Sequence, residues 1–362
     1  MQYTPDDVMK TCTESIKDLV HTYDHESKDT FVSLYFDGRD QTFIQHRKRV
    51  IQSVLEHNEL KNFLKTMKRI MTYLKKNKTA NIAIFASNMH RFFEVVSLPA
   101  EVENTLIVDT SPYIRPLAEF ADEWQAYTLV LLNSNHAKIF TYSCGEIAEE
   151  ELSADVMNRH KKGGMSQARF QRLRKGSIHA FLSDVAKELA RIAEDNIILA
   201  GPGEAKKEFY EMLPHELQKG IIGVLDVDIN DEHGLLEESH EIMVEKGKET
   251  HLQLLNLIKK EILRNGLAVH GIRDTVDAVR NGQVEALLVE KDYRQRGWKC
   301  EHCQLVDIGM LALCPACGNR TAEVDVVEEL IEFAENTDAV VEFTDNEDIK
   351  KVGHIAALLR YK

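Results

Sequence analysis

Long apolar stretches are missing from this chain of 362 residues. No run approaches the roughly 18 apolar residues that a membrane-spanning helix needs, so no membrane partner is expected. The N-terminal residues lack the charged, apolar and small-residue succession of a signal peptide, and a cytoplasmic protein is expected. Internal repeats and low-complexity linkers are absent too, so the segments should be joined by short connections. What remains, 43% hydrophobic and 29% charged, is the composition of an ordinary globular protein. Its length suits two or three domains, because single cores stop growing at roughly 250 residues.

Acid is missing from one stretch in particular. The chain as a whole carries a formal charge of −14, which argues against indiscriminate binding to nucleic acid. Yet no Asp or Glu lies between Asp155 and Asp184, while Arg159, Lys161, Lys162, Arg169, Arg172, Arg174 and Lys175 are all cationic. Like charges repel, so such a cluster either solvates a helix face or serves an anionic partner. Gly163 and Gly164 sit inside it, in "KKGGMSQARFQRLRK". From Ser166 the pattern turns helical. Phe170, Leu173, Ile178, Phe181, Leu182, Val185, Leu189 and Ile192 recur at threes and fours, with Arg169, Arg172 and Lys175 off much of that stripe.

Strands alternating with helices predict an α/β protein of three mixed α/β domains. The first, residues 1–125, has an alternating strand in "TFVSLYFDG". A basic helical region from Gln41 to Lys78 follows, interrupted near "HNEL", and then the buried strands "NIAIFAS" and "NTLIVD". The positive face of that region suits either solvent or a polyanion. The second, residues 126–249, opens on a hairpin over 127–147 with its turn at "NSNH". It carries the glycine loop, then a strand, turn and helix in "NIILAGPGEAKKEFYEML". "GPGE" lacks the lysine and spacing of a phosphate-binding loop. The third, residues 250–362, runs from a helix at "ETHLQLLNLIKKEILRNG" to a closing strand in "AALLRY".

Cysteine is scarce, at six residues, but four are concentrated: Cys300, Cys303, Cys314 and Cys317 read C-x2-C-x10-C-x2-C. Each pair places two thiolates around one ion, and the loop between can fold back to complete a tetrahedron. Four sulfurs leave no position open for water, so the expected zinc is structural, in a small zinc-ribbon-like insertion. Gly318 supplies the turn that a tight knuckle needs after its last ligand.

The stretch "KKGGMSQARFQRLRKGSIHAFLSDVAKELA" resembles the loop and helix of the eukaryotic and archaeal class-1 peptide chain release factors. That family's pattern is Gly-Gly-Gln-Ser-Ala, then Arg-Phe, an Arg-x-x-Arg region and a His. Gly163, Gly164, Ser166, Arg169, Phe170, Arg172 or Arg174, and His179 match it. "ILAGPGEAKKEF", "DEHGLLEESHE", "GIRDTVDAVRNGQVEALLVEKD" and "VGHIAALLRY" are similar to later parts of the family, so the likeness runs from about residue 125 to the end. Two departures stand out. No Asn-Ile-Lys-Ser stop-codon motif exists, and Met165 occupies the family's catalytic Gln position. The chain thus resembles a divergent member, near the Pelota, Vms1-like and hibernation-factor branches that enter the ribosomal A site.

The resemblance implies a protein acting on the ribosome, with ribosomal RNA and P-site peptidyl-tRNA as partners and a translational GTPase contacting the last domain. It places Gly163, Gly164, Met165 and, as a side-chain substitute, Gln167 at the peptidyl-transferase centre. Two functions remain open: codon-independent hydrolysis of the peptidyl-tRNA ester in ribosome rescue, or non-catalytic occupation of the A site. An RNA-binding adaptor unrelated to release is a third.

Overall fold

The computed structural model describes residues 12–24, 29–77, 79–98, 100–143, 146–153, 165–227, 232–300 and 302–362. In the N-terminal part, α1 (Cys12–Val20) precedes β1 (Phe31–Phe36), α2 (Thr42–Gln52), α3 (His57–Lys76), β2 (Ile82–Ser87), β3 (Phe92–Ser97), β4 (Thr105–Asp109) and α4 (Arg115–Glu123). The strands form an antiparallel sheet in the order β3-β2-β1-β4. The alternation read in β1 does not separate core from solvent, because all six residues are buried. Val32, Leu34 and Phe36 pack with Phe63, Met67, Ile70 and Leu74 of α3. On the opposite face, Ser33 Oγ accepts from the Tyr113 N–H at 2.9 Å, and the Tyr35 hydroxyl donates to the Tyr113 carbonyl at 2.7 Å. The break in the basic helical region falls just before "HNEL" and not within it. Glu56 and Glu59 form a reciprocal capping box that starts α3 there.

The middle part holds β5 (Tyr127–Leu132), β6 (His136–Ser143), β7 (Glu146–Ser153), α5 (Met165–Ile192), β8 (Asn196–Ala200), α6 (Ala205–Met212), α7 (His215–Gly220), β9 (Ile221–Leu225) and α8 (Glu232–Leu263). Its sheet has the order β7-β6-β5-β8-β9. β5, β6 and β7 run antiparallel, while β5, β8 and β9 are parallel. The β5–β6 turn is closed by Asn133, whose Oδ1 accepts from the N–H groups of Asn135 and His136, both at 2.9 Å. One sheet face packs on α5 and α6, the other on Leu235 and Met243 of α8.

The C-terminal part continues with β10 (Ala268–His270), α9 (Ile272–Arg280), β11 (Val284–Glu290), β12 (Arg296–Cys300), β13 (Val306–Ile308), β14 (Thr321–Asp325), α10 (Val326–Asn336), β15 (Val340–Thr344), α11 (Asp348–Lys351) and β16 (Ile355–Leu359). Two sheets result, one in the order β10-β16-β11-β15 and a small one in the order β13-β12-β14. The molecule is therefore mixed α/β in each of three parts. Residues 124–246 form one compact unit; residues 10–123 and 247–362 together form the other. The boundary at Lys246 falls inside α8, which runs unbroken past it.

Candidate functional site

The glycine loop leads into α5. Gly163 and Gly164, with Arg159, Lys161 and Lys162, lie outside the described residues; Met165 opens the helix, and the side chains of Met165, Gln167, Arg169 and Phe170 also lie outside them. The helix is held by Phe181, Leu182, Val185 and Leu189, with Ile178 and Ile192 at the edges of the same core. Among the described side chains of α5, the contacts with this core run from Ile178 onward, and the residues from Met165 to Ser177 span about 20 Å of helix before it. Leu173 is 48% exposed, which corrects its place in the apolar stripe.

Electrostatics set this arm apart. A helix N-terminus carries partial positive charge and usually draws acidic residues, yet the first turn of α5 has none. Arg172 and Lys175 are exposed, and Arg174 is partly buried, its Nε without a hydrogen-bond partner. In the sequence, no acidic residue stands between Asp155 and Asp184 to offset these cations. The "GPGE" turn differs: Lys206 is buried and donates to the Leu225 carbonyl at 2.7 Å, so its charge is consumed internally.

The four cysteines converge. Their sulfurs all lie within 4.8 Å of one another, with Cys300–Cys317 at 3.4 Å and Cys303–Cys314 at 3.5 Å. Four thiolates about 2.3 Å from one zinc ion would stand roughly 3.8 Å apart, so the spacing fits. The flanking strands bring this about. β12 delivers Cys300 opposite Thr321 of β14, and the Cys314 N–H donates to the Asn319 carbonyl at 2.7 Å, closing the second knuckle. The N–H groups of His302 and Cys303 reach Cys300 Sγ at 3.4 Å, as the Asn319 side-chain amide reaches Cys317 Sγ. The backbone N–H of Asn319, with that amide, holds the Cys317 thiol down to about 6, favouring the thiolate that a metal needs. Cys300 and Cys314 are buried against Trp298.

Sequence reasoning missed a second charged cluster, around α10. Arg115 is 1% exposed, donates to Glu119 and to the Tyr293 carbonyl at 3.0 Å each, and lies 3.5 Å from Asp325. Lys299 Nζ is 2.6 Å from Glu329, and Ser111 donates to Glu332 at 3.1 Å. Burial, reinforced by Asp325 and Asp109, pushes Glu328 up to about 8; burial and Glu329 push Glu332 up to about 7. Glutamates at this helical spacing look like a solvent face, and nothing local shows that residues 109–115 cover them.

Comparison with known proteins follows the same division. Residues 112–243 match the model of bacterial archaeo-eukaryotic release factor family 10, and residues 249–362 match eRF1 domain 3. Peptide chain release factor subunit 1 of Archaeoglobus fulgidus is 34% identical over 292 residues, covering 70% of either chain. The chain belongs to the archaeal and eukaryotic release factor family. The Pyrococcus abyssi release factor subunit is 29% identical over 91% of this release-factor-like chain and 93% of its own. An archaeal translation termination factor of solved structure covers 97% of both chains at 17% identity and a TM-score of 0.30. Yeast Dom34 covers 78% of this chain and 79% of its own, at 12% identity and a TM-score of 0.42. Both are too distant to place any residue. The glycine arm lies within the first family match and the cysteine knuckle within the second, while β1 to β4 and helices α2 and α3 precede both. Among the described residues, no helix is long and apolar enough to cross a membrane.

Proposed function

We propose that this release-factor-like protein enters the ribosomal A site and promotes hydrolysis of the peptidyl-tRNA ester, in rescue or codon-independent release. The carrying observation is the α5 arm: a helix that begins at Met165, directly after two glycines in the sequence, with no acidic residue in its first turn. Ribosomal RNA supplies the phosphates for Arg169, Arg172, Arg174 and Lys175. In the reaction a water attacks the ester carbonyl, the bond to the tRNA ribose oxygen breaks, and that oxygen leaves as a hydroxyl. Negative charge grows on the carbonyl oxygen, where a backbone N–H at Met165 stabilises it. The exposed cations of α2 and α3, among them Arg49, Lys65, Lys68 and Arg69, give the N-terminal part a second face for RNA. By family resemblance the C-terminal part meets a translational GTPase, and the cysteine cluster takes a structural zinc in a cytoplasmic protein.

Met165 favours one competing reading. The residue keeps its backbone N–H, but its thioether positions water less well than a side-chain amide, which suits a factor that only occupies the site. Single-turnover release of labelled peptide from purified ribosome complexes decides between them. A hydrolase releases peptide far above the factor-free rate, loses this in Gly164→Ala and gains in Met165→Gln. Background release with stable binding and blocked tRNA entry leaves only the occupant.

A further inference from the structure

The chain enters the unit of residues 124–246 at Trp124 and leaves it at Lys246, inside α8. Residues beside the entry hold α8 on both sides of the exit. Trp124 stacks on His240 within that unit, ring centres 4.1 Å apart and 16° from parallel. Two residues earlier, in the other unit, Asp122 Oδ1 accepts from His251 Nε2 at 3.0 Å. His240 and His251 are eleven residues apart. At 3.6 residues per turn that is three turns, about 16 Å, and it returns both to one face of the helix.

Asp122 is anchored separately from the histidine. Its side chain is 3% exposed, and Oδ2 accepts the Phe343 N–H at 2.8 Å, on β15 at the edge of its sheet. The charges around His251 favour a cation. Asp122 faces it from α4, Glu342 from β15 and Lys291 from the segment after β11, while Lys248, a turn earlier on α8, is exposed. Lys291 is drawn off towards Glu123 and Asp345, at 3.7 and 3.6 Å. Glu342 is 8% exposed, its Oε2 has no hydrogen-bond partner, and burial raises its own carboxyl. Burial opposes a charge on His251, but the Asp122 carboxylate, helped by Glu342, outweighs it and raises the imidazole above its ordinary 6.5. The charge-assisted bond is therefore complete below 6.5 and is lost as pH rises through the raised value.

We propose that Asp122 and Trp124 clamp one face of α8 across the point where it leaves the middle unit, the Asp122–His251 half opening as His251 loses its proton. The reporter is the Phe343 N–H, its exchange in the full chain followed from about pH 6 to about 9, corrected for intrinsic rate and read relative to β11. In the parent, protection there should fall about ten-fold, the difference between a charge-assisted and a neutral hydrogen bond. Asp122→Asn can accept from Phe343 with its oxygen and donate to a neutral His251 with its nitrogen, so its protection should stay level. His251→Gln, a donor at every pH, should be level too. Trp124→Leu should raise exchange over residues 238–242 about five-fold at every pH, leaving the Phe343 profile unchanged. Level protection in the parent, or a slope that persists in both Asp122→Asn and His251→Gln, overturns the proton-dependent grip. Exchange over 238–242 unmoved in Trp124→Leu overturns the clamp.

Discussion

Gln304 and Gly318 occupy equivalent places, each one residue past the second cysteine of its pair, and both are left-handed, at φ +57 and +73. The two knuckles are thus built alike, although only one carries the residue that adopts this conformation without cost. A Cβ at Gly318 would meet nothing within 4 Å, so the penalty for adding one is purely conformational. Gly318→Ala should destabilise the C-terminal part by about 1 kcal/mol, read from thermal unfolding of the metal-loaded protein. An unchanged midpoint would show that the knuckle does not need this backbone angle.

Purified protein should contain one zinc per chain. Cys314→Ser should lose it, because three thiolates and a hydroxyl leave the tetrahedron incomplete and Cys314 is buried. Elemental analysis beside unfolding curves, before and after chelation, tests both parts. Full zinc retention in Cys314→Ser would rule out the four-thiolate site.

The basic arm should make ribosome association depend steeply on salt. Replacing Arg169, Arg172 and Arg174 together with Ala should weaken co-sedimentation and flatten the slope of log affinity against log salt by about 2. A slope unchanged in the triple variant would mean that these cations only solvate the helix.

Stability should fall as pH rises across neutrality. Glu328, pushed up to about 8 by burial, keeps its proton in the fold while the unfolded chain releases it near the ordinary glutamate value of 4.5. Below pH 4.5 both states are protonated and nothing is lost; between 4.5 and 8 the unfolded state gains, and above 8 the loss levels off. Glu328→Gln should match the parent near pH 5 and exceed it at pH 8.5 by about 1 to 3 kcal/mol, measured by urea unfolding. Equal curves at both pH values would show that Glu328 is not held neutral.

Several elements could be read from residue order because their causes are local. The period of α5, the hairpin turn at Asn133 and the glycine turn before β11 all arise within a few residues. The cysteine spacing was legible for the same reason: two short knuckles and one intervening loop need no distant partner to close. The family was legible because Gly163, Gly164, Arg169 and Phe170 stand in one uninterrupted stretch.

Leu173 was misread because periodicity shows which side of a helix is apolar but not where the core beneath it ends. β1 was read correctly as a strand, but its alternation could not show that both of its faces are covered. Arg115, Ser111 and Asp122 gave no signal, for their partners lie far along the chain and carry the composition of ordinary surface. The sequence by itself determined the helices and strands, the glycine arm and the thiolate cluster, all products of short-range geometry. Only the tertiary structure decided that Leu173 is exposed and that the glutamates of α10 are partly covered, because burial depends on which distant segment arrives to exclude water.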